Sequence, residues 1–326
     1  MKYIFEQKML NSGFAGFKAP RDVARILYSQ GYKPLYYSDV TSNNRLLRNI
    51  ISFLMILKLP FILKKCDICF IQWPLYTQSK FILCKILKWK HVEYDVLIHD
   101  LNSFRYDNEY GIEKYFLSSA RRIIVHSNVM KDYLYGKGIY KEKMKVLTSF
   151  DYLIEEKTEP RRSYSHNVVY AGNLEKSLFL LEIMKSGLDI SIFCYGKEKY
   201  KFSGNIFYKG FFNSEYVSNI EGSWGLVWDG DHIDTCDGVY GKYLRINSPH
   251  KLSLYIVALL PIIIWEESAL ADYVVKKSIG YTIKRISDIP ELFSKITEED
   301  YFRLQRNIKK EREYLINGFH LKECLM

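Results

Sequence analysis

The sequence predicts an α/β protein built from two doubly wound, Rossmann-like halves, and three observations predict it. Short continuous apolar runs alternate with helix-patterned segments, as parallel strands covered on both faces require. The rhythm breaks at 150–165, FDYLIEEKTEPRRSYS, where charges, proline and serine take over, and then it resumes. At 326 residues the chain has room for two ordinary domains.

The first half opens with a strand over 2–7, KYIFEQ. A glycine-bearing loop follows at 11–20, NSGFAGFKAP, then a short helix over 21–30 and a strand in KPLYYS. Residues 42–65 read as basic helical segments. A strand over 68–73 stops at Pro74, an amphipathic helix covers 78–88, and 91–100 holds a fourth strand ending in His99-Asp100. A helix over 110–120, a strand over 122–127, a helix in NVMKDYLYGKG and a strand over 143–149 complete this half. Residues 150–165 read as a linker. NVVYAG at 167–172 starts the second series, with a helix over 173–186, strands over 189–196 and 205–212, and a helix over 213–222. A strand over 278–285, a helix over 297–313 and a tail close the chain.

Most of the chemistry sits in 225–265, GLVWDGDHIDTCDGVYGKYLRINSPHKLSLYIVALLPIIIW. Gly225 to Trp228 is a strand stopped by the turn signal Asp229-Gly230. Ser248-Pro249 suits a helix start, with serine as the N-cap and proline in the first turn. Leu252, Tyr255, Ile256 and Leu259 share the buried face of that helix, and Pro261 ends it before the strand over 262–265. Lys251 falls in the first turn, where the helix dipole disfavours an amine unless an anion is also there. A helix mouth with a lysine suits a diphosphate.

Composition narrows the function. Hydrophobic residues at 48% and charged ones at 26% fit a globular protein. The net charge of +10 is scattered and no nucleic-acid module accompanies it, so a phosphate-bearing substrate and an anionic membrane surface fit better. The first residues, MKYIFEQKML, lack the apolar core and cleavage site of a signal peptide. The apolar stretch 50–63 is shorter than a bilayer span, and basic residues flank it, so it reads as an interfacial segment or a buried helix. The six cysteines form no disulfide framework, and Cys66 and Cys69 lack a second pair for zinc. A cytoplasmic protein with reduced thiols is expected, with peripheral contact at the inner membrane face as a further expectation.

Several stretches in order resemble a known family. FIQWPLY at 70–76, LIHDLNSFR at 97–105, IIVHSNVMKDYL at 123–134 and YAGNLEKS at 170–177 carry the resemblance. So do DGDHIDTCDG, NSPHKLSLY and LPIIIW in the polar stretch. Together they are similar to bacterial galactofuranosyltransferases of polysaccharide clusters and to the streptococcal glucosyltransferase that extends N-acetylglucosamine on serine-rich adhesins. The resemblance implies a GT-B fold, two facing Rossmann-like domains using a UDP-sugar as co-substrate, without a metal or other cofactor. It divides the chain into an acceptor domain over 1–155, a nucleotide-sugar domain over 156–305 and a helix over 306–326 returning to the first domain. It also implies a β-linkage made with inversion.

Lys251 is the strongest candidate, since a lysine at this place meets the donor diphosphate in the family. Ser248 and His250 flank it. Gly172 and Asn173 end the strand that opens the second half, and Lys176 stands where streptococcal relatives carry an arginine, keeping charge but losing the bidentate fork. Tyr195 and Gly196 end the next strand, beside an expected uracil. Asp229, before Gly230, suits sugar hydroxyls, with a plain turn residue as the alternative. The acidic loop Asp231, Asp234, Asp237 lacks both D-x-D and EF-hand spacing.

On the acceptor side, either His99 or Asp100 can serve as general base with the other orienting it; a structural pair is the alternative. Gly16, Asp22, Gln72, Trp73 and Tyr76 are expected to shape the acceptor site, with Trp73 packed against a sugar. One departure stands out: relatives usually place a glycine before the Leu-Pro that ends the helix, and Leu259 stands there. A left-handed helix ending would be strained.

The function expected is hexosyl transfer, most simply of galactofuranose from UDP-galactofuranose, to a saccharide or lipid-linked saccharide acceptor in surface polysaccharide synthesis. UDP-glucose is the second donor, and a non-catalytic sugar-nucleotide-binding partner of the same fold is the rival class. A homo-oligomer is compatible with the sequence.

Overall fold

Two parallel six-stranded sheets organise the protein, known here from a computed structural model that describes residues 1–8, 17–39, 41, 44–105 and 110–326. Contacts divide the chain into Met1–Leu147 and Thr148–Met326.

The first unit runs β1 (Lys2–Lys8), α1 (Lys18–Ser29), β2 (Lys33–Asp39), α2 (Arg45–Ile62), β3 (Ile68–Trp73), α3 (Lys80–Trp89) and β4 (Glu93–Ile98). It continues with α4 (Asn102–Arg105), α5 (Tyr110–Ser119), β5 (Arg122–Val125), α6 (Asn128–Gly136) and β6 (Met144–Val146). The strand order is β2-β1-β3-β4-β5-β6, and every pair is parallel. Ile4, Phe70, Ile71, Val96, Leu97 and Ile98 have no exposed surface, as strands covered on both faces demand. Chain order reverses between β1 and β3, which puts the crevice of this sheet at their C-terminal ends.

The second unit runs β7 (Asn167–Ala171), α7 (Phe179–Ser186), β8 (Ser191–Tyr195), β9 (Ile206–Gly210), β10 (Trp224–Val227), α8 (Gly238–Tyr243) and α9 (His250–Val257). Then come β11 (Ile262–Trp265), α10 (Ala271–Lys276), β12 (Gly280–Ile283), α11 (Ile289–Lys295), α12 (Glu298–Ile316) and α13 (Phe319–Leu325). Its order, β12-β11-β10-β7-β8-β9, is the 3-2-1-4-5-6 arrangement of dinucleotide-binding sheets counted from β7. The switch point lies between β7 and β10. Residues 306–326 belong to this unit, where α12 packs along α9.

Three expectations are corrected. Residues 213–222 hold only a single 3-10 turn, Val217–Asn219. Ser248 does not cap α9; Pro249 takes that position in extended conformation, and Ser248 precedes it. Nor is 150–165 a solvated linker. Arg162 donates to the carbonyls of Ala258 (2.8 Å), Val217 (3.0 Å) and Ile220. The buried Asp151 accepts the backbone N–H groups of His320 (3.1 Å) and Leu321 (2.8 Å) at the start of α13. Two of the charges that suggested a linker, Asp151 and Arg162, cap helix ends of the second unit.

Those caps explain how α9 ends. Arg312 Nε reaches the Val257 carbonyl (3.1 Å), Arg162 Nε that of Ala258 (2.8 Å) and Gln305 Nε2 that of Leu259 (3.1 Å). Two guanidinium groups thus face the negative end of the helix dipole. Leu259 adopts φ 58°, so the left-handed ending is kept without glycine. Leu260 N–H to the Tyr255 carbonyl (2.9 Å) and Leu259 N–H to that of Ile256 (3.0 Å) complete a Schellman motif. The left-handed backbone costs about 1 kcal/mol for a non-glycine residue, whereas emptying a buried leucine site costs about 2–5 kcal/mol. Leu259 is 5% exposed, so burial wins. Leu259→Gly is therefore expected to destabilise the protein by about 2 kcal/mol in chemical denaturation, despite relieving the backbone. A more stable variant would show that strain dominates.

Candidate functional site

The strand ends at the switch point of the second unit gather one connected polar cluster. Lys251 leaves the first turn of α9 and extends its ammonium to Asp229 Oδ1 (2.7 Å), the Trp228 carbonyl (2.9 Å) and Tyr170 Oη (3.2 Å). It also lies 4.5 Å from the Tyr170 ring centroid, a cation–π distance. The side chains of Lys251 and Asp229 are 10% and 27% exposed, so the pair is largely shielded yet still meets solvent. Asp229 supplies the anion that an amine at a helix mouth needs. Two residues that the sequence assigns to different parts of a donor form one salt bridge.

Tyr170 joins this pair to the opposite strand. Its hydroxyl donates to Asp229 Oδ1 (3.2 Å) and meets Ser177 Oγ at 2.7 Å. Burial, then the charge of Asp229, holds its pKa well above the ordinary phenol value, so it remains a hydroxyl. Tyr255 Oη accepts the Ala171 N–H (2.9 Å), tying α9 to the end of β7. The sequence reading missed Tyr170 and Ser177 as site residues. Both lie inside YAGNLEKS, but only the folded register shows that the Tyr170 hydroxyl reaches the strand end.

Lys176 is exposed at the end of a 3-10 turn and donates to Tyr240 Oη on α8 (2.6 Å), over whose ring it lies at 4.2 Å. Asn173 caps that turn, its side chain accepting the Glu175 N–H (3.0 Å). Gly230 has φ 124°, and a Cβ there would meet the Asp237 backbone nitrogen at 2.8 Å, so glycine lets the loop fold over the strand end. Within that loop Asp237 Oδ1 accepts the Asp231 N–H (3.0 Å). His232 stands 3.5 Å from both Glu182 and Asp237. Among the described residues, no group of three or more His, Cys, Asp and Glu side chains is placed to hold a metal.

Other candidates have internal partners. His250 stacks on Tyr152 (centroids 5.0 Å apart, 26° between planes) and meets Phe150 edge-on. Tyr195 is 3% exposed and its hydroxyl accepts the Glu221 N–H (2.8 Å), so its ring is a core element at the end of β8. Gly196 and Gly172 touch through their backbones: a Cβ on Gly196 would lie 1.9 Å from the Gly172 carbonyl oxygen. Burial pushes the Cys194 thiol up to about 12 and raises Cys236 too, so neither is a nucleophile near neutral pH.

In the first unit, Gln72 Nε2 donates to the Pro20 carbonyl (3.2 Å) and its Oε1 meets His99 Nε2 at 2.7 Å. With the amide oxygen as acceptor, the proton of that contact sits on His99 Nε2. His99 and Asp100 are half-buried at the end of β4, with both N–H groups directed at the Trp73 carbonyl (2.7 and 3.4 Å). Asp22 is buried in an ion pair with Lys18 (2.8 Å), and Tyr76 is 67% exposed. Trp73 is corrected: it has no exposed surface, its indole N–H bonds Glu113 (2.9 Å), and it packs on Phe116, which leaves no ring face for a sugar. Gly16 and the rest of its loop, 9–16, lie outside the described residues.

Two Rossmann-like units in one chain, the second with a lysine at its switch point, have the GT-B glycosyltransferase architecture. The comparisons agree. The N-terminal domain of the glucosyltransferase 3-like family matches residues 1–149 and its C-terminal domain residues 168–326. The chain is 30% identical to the β-1,6-galactofuranosyltransferase WbbI of Escherichia coli (strain K12) over 319 residues, 95% of this chain and 93% of that one. It is 20% identical to glucosyltransferase 3 of Streptococcus gordonii over 267 residues, 80% and 78% of the two chains. Among solved structures, Anabaena HepE in complex with UDP and glucose matches with a TM-score of 0.65 at 9% identity, covering 100% of this chain and 99% of that one. The chain belongs to the glucosyltransferase 3-like family of glycosyltransferases.

Proposed function

We propose that the chain transfers a hexose from a UDP-sugar to a saccharide acceptor in surface polysaccharide synthesis, with galactofuranose as the sugar and a β-linkage formed by inversion. The observation that carries it is the Lys251 ammonium held at the switch point by Asp229 and the Trp228 carbonyl. In this reading the second unit grips the donor diphosphate through Lys251 and the mouth of α9, and Lys176 adds a second positive charge. The galactofuranosyl donor is favoured because WbbI, named for that activity, aligns along nearly the whole chain. UDP-glucose is the second reading, favoured by the glucosyltransferase 3-like domain matches.

The step needs little covalent chemistry from the protein. The acceptor oxygen bonds to the anomeric carbon as that carbon's bond to the diphosphate oxygen breaks. The hydroxyl proton passes to a base, for which His99 or Asp100 is the assignment, and UDP leaves with the bonding electrons. Cationic side chains and the helix dipole stabilise the leaving group in place of a metal ion. A lipid-linked acceptor, a cytoplasmic location and peripheral contact with the membrane belong to the same reading.

The test incubates the purified chain with a panel of UDP-sugars and a saccharide acceptor, with and without a chelator, and follows UDP release by mass spectrometry. Release from UDP-galactofuranose in both conditions is expected. Release from UDP-glucose alone would reassign the donor, and release abolished by the chelator would overturn the metal-free mechanism. Binding without turnover of any donor would make the chain a sugar-nucleotide-binding partner.

A further inference from the structure

Helix α2 turns an apolar face to solvent. At 100° per residue, Leu46, Ile50, Phe53, Leu54, Leu57 and Phe61 fall on one stripe. The buried residues of the helix, Ser52, Ile56 and Leu59, fall on the other side. The six outward residues are between 40% and 90% exposed, with Phe61 the most. Isolated exposed apolar residues are ordinary, but a continuous stripe along nearly the whole of an 18-residue helix marks a contact surface.

The charge around it is one-sided. Helix α2 carries Arg45, Arg48 and Lys58 and no acid, and Lys64 and Lys65 follow it. Between residues 42 and 92 there are nine Lys or Arg and a single acid, Asp67. That acid is buried and bonded to the N-terminal ammonium (2.6 Å) and the Lys64 N–H (2.8 Å). Helix α3, which packs on α2, adds exposed Lys85, Lys88 and Trp89. Among the described residues, none of Arg45, Arg48, Lys58, Lys64 and Lys65 has an ion-pair partner. A second copy of this face would meet it with like charge. No described helix is long and apolar enough to cross a membrane, which leaves a helix lying along one.

We propose that α2 docks in the plane of an anionic lipid surface, with Leu46, Ile50, Phe53, Leu54, Leu57 and Phe61 among the acyl chains and the flanking Arg and Lys at the phosphates. The docking names the membrane partner of the glycosyltransferase reading and rests on that reading only for its purpose, bringing the enzyme to a lipid-linked acceptor. The basic groups draw the helix to negative headgroups, and the apolar stripe holds it there.

The experiment sediments the full chain with phosphatidylglycerol-containing vesicles and with pure phosphatidylcholine vesicles. The variants are Leu54→Asp with Phe61→Asp, and Lys58→Glu with Lys64→Glu and Lys65→Glu. All the substituted positions are exposed. Wild type is expected to bind the anionic vesicles at least about tenfold better, and each variant to lose that advantage. UDP affinity by calorimetry and solution mass should stay unchanged in both variants. The proposal falls if wild type is indifferent to lipid charge, or if the aspartate variant binds vesicles as well as wild type. It also falls if wild type ignores vesicles and the aspartate substitutions split a dimer, which would make the face the seat of a second copy. Failure of the donor reading would appear separately, as absent UDP binding by wild type, and leave the vesicle result standing.

Discussion

Lys251→Ala is expected to lower UDP affinity by at least about 100-fold while the protein stays folded. Two losses add. A charge-assisted hydrogen bond to a diphosphate is worth about 1.5–3 kcal/mol, and every 1.4 kcal/mol is about tenfold in affinity. The substitution also leaves the Asp229 carboxylate without its cation, 2.7 Å from the vacated ammonium, so the incoming anion meets a negative site. The stability cost should be small, about 1 kcal/mol, because Asp229 is 27% exposed and water can solvate it. Calorimetric titration with UDP measures the first effect and thermal unfolding the second. Asp229→Asn separates the roles further: it should weaken the UDP-sugar more than UDP if Asp229 holds sugar hydroxyls. Unchanged UDP affinity in Lys251→Ala would place the diphosphate elsewhere and remove the basis of the donor site.

Much of this site was legible because it depends on local patterns. Asp229-Gly230 after an apolar run marks a strand end, and a lysine just after Ser-Pro marks a helix mouth. What the sequence could not give is that the two side chains pair, since that needs β10 and α9 in register across 22 residues. Tyr170 was hidden for the same reason, with its partners 59 and 81 residues away. Trp73 misled because aromatic residues beside a strand end look alike whether they face solvent or core; Glu113, 40 residues on, decides it. Arg162 sits in a segment with every compositional mark of a linker, yet its role is set by the carbonyls of Ala258 at the end of α9, Val217 and Ile220, reached only after folding. Leu259 shows a local rule outweighed by burial. Short-range chemistry was readable and long-range pairing was not.

Gly196→Ala is expected to cost at least about 3 kcal/mol of stability, lowering the melting temperature by roughly 10 °C. Gly196 has φ 139°, a region that side-chain-bearing residues avoid. Its new Cβ would lie 1.9 Å from the Gly172 carbonyl oxygen. That carbonyl belongs to backbone rather than to a flexible side chain, and Gly172 itself is held at the paired ends of β7 and β8 by its N–H bond to the Tyr195 carbonyl (3.0 Å), so relieving the clash means moving main chain. Gly172 makes the control. A Cβ there would meet nothing closer than Tyr170 Oη at 3.8 Å, an ordinary contact, and its φ is unexceptional. Gly172→Ala should therefore change stability by no more than about 0.5 kcal/mol yet weaken UDP binding, since the methyl occupies the space through which a phosphate would approach the strand end. The two glycines, both expected from the sequence to contact the donor, would then divide into one that permits the fold and one that admits the ligand. Wild-type stability in Gly196→Ala would mean that β7 and β8 do not end as closely as described, and wild-type UDP binding in Gly172→Ala would move the diphosphate away from that strand.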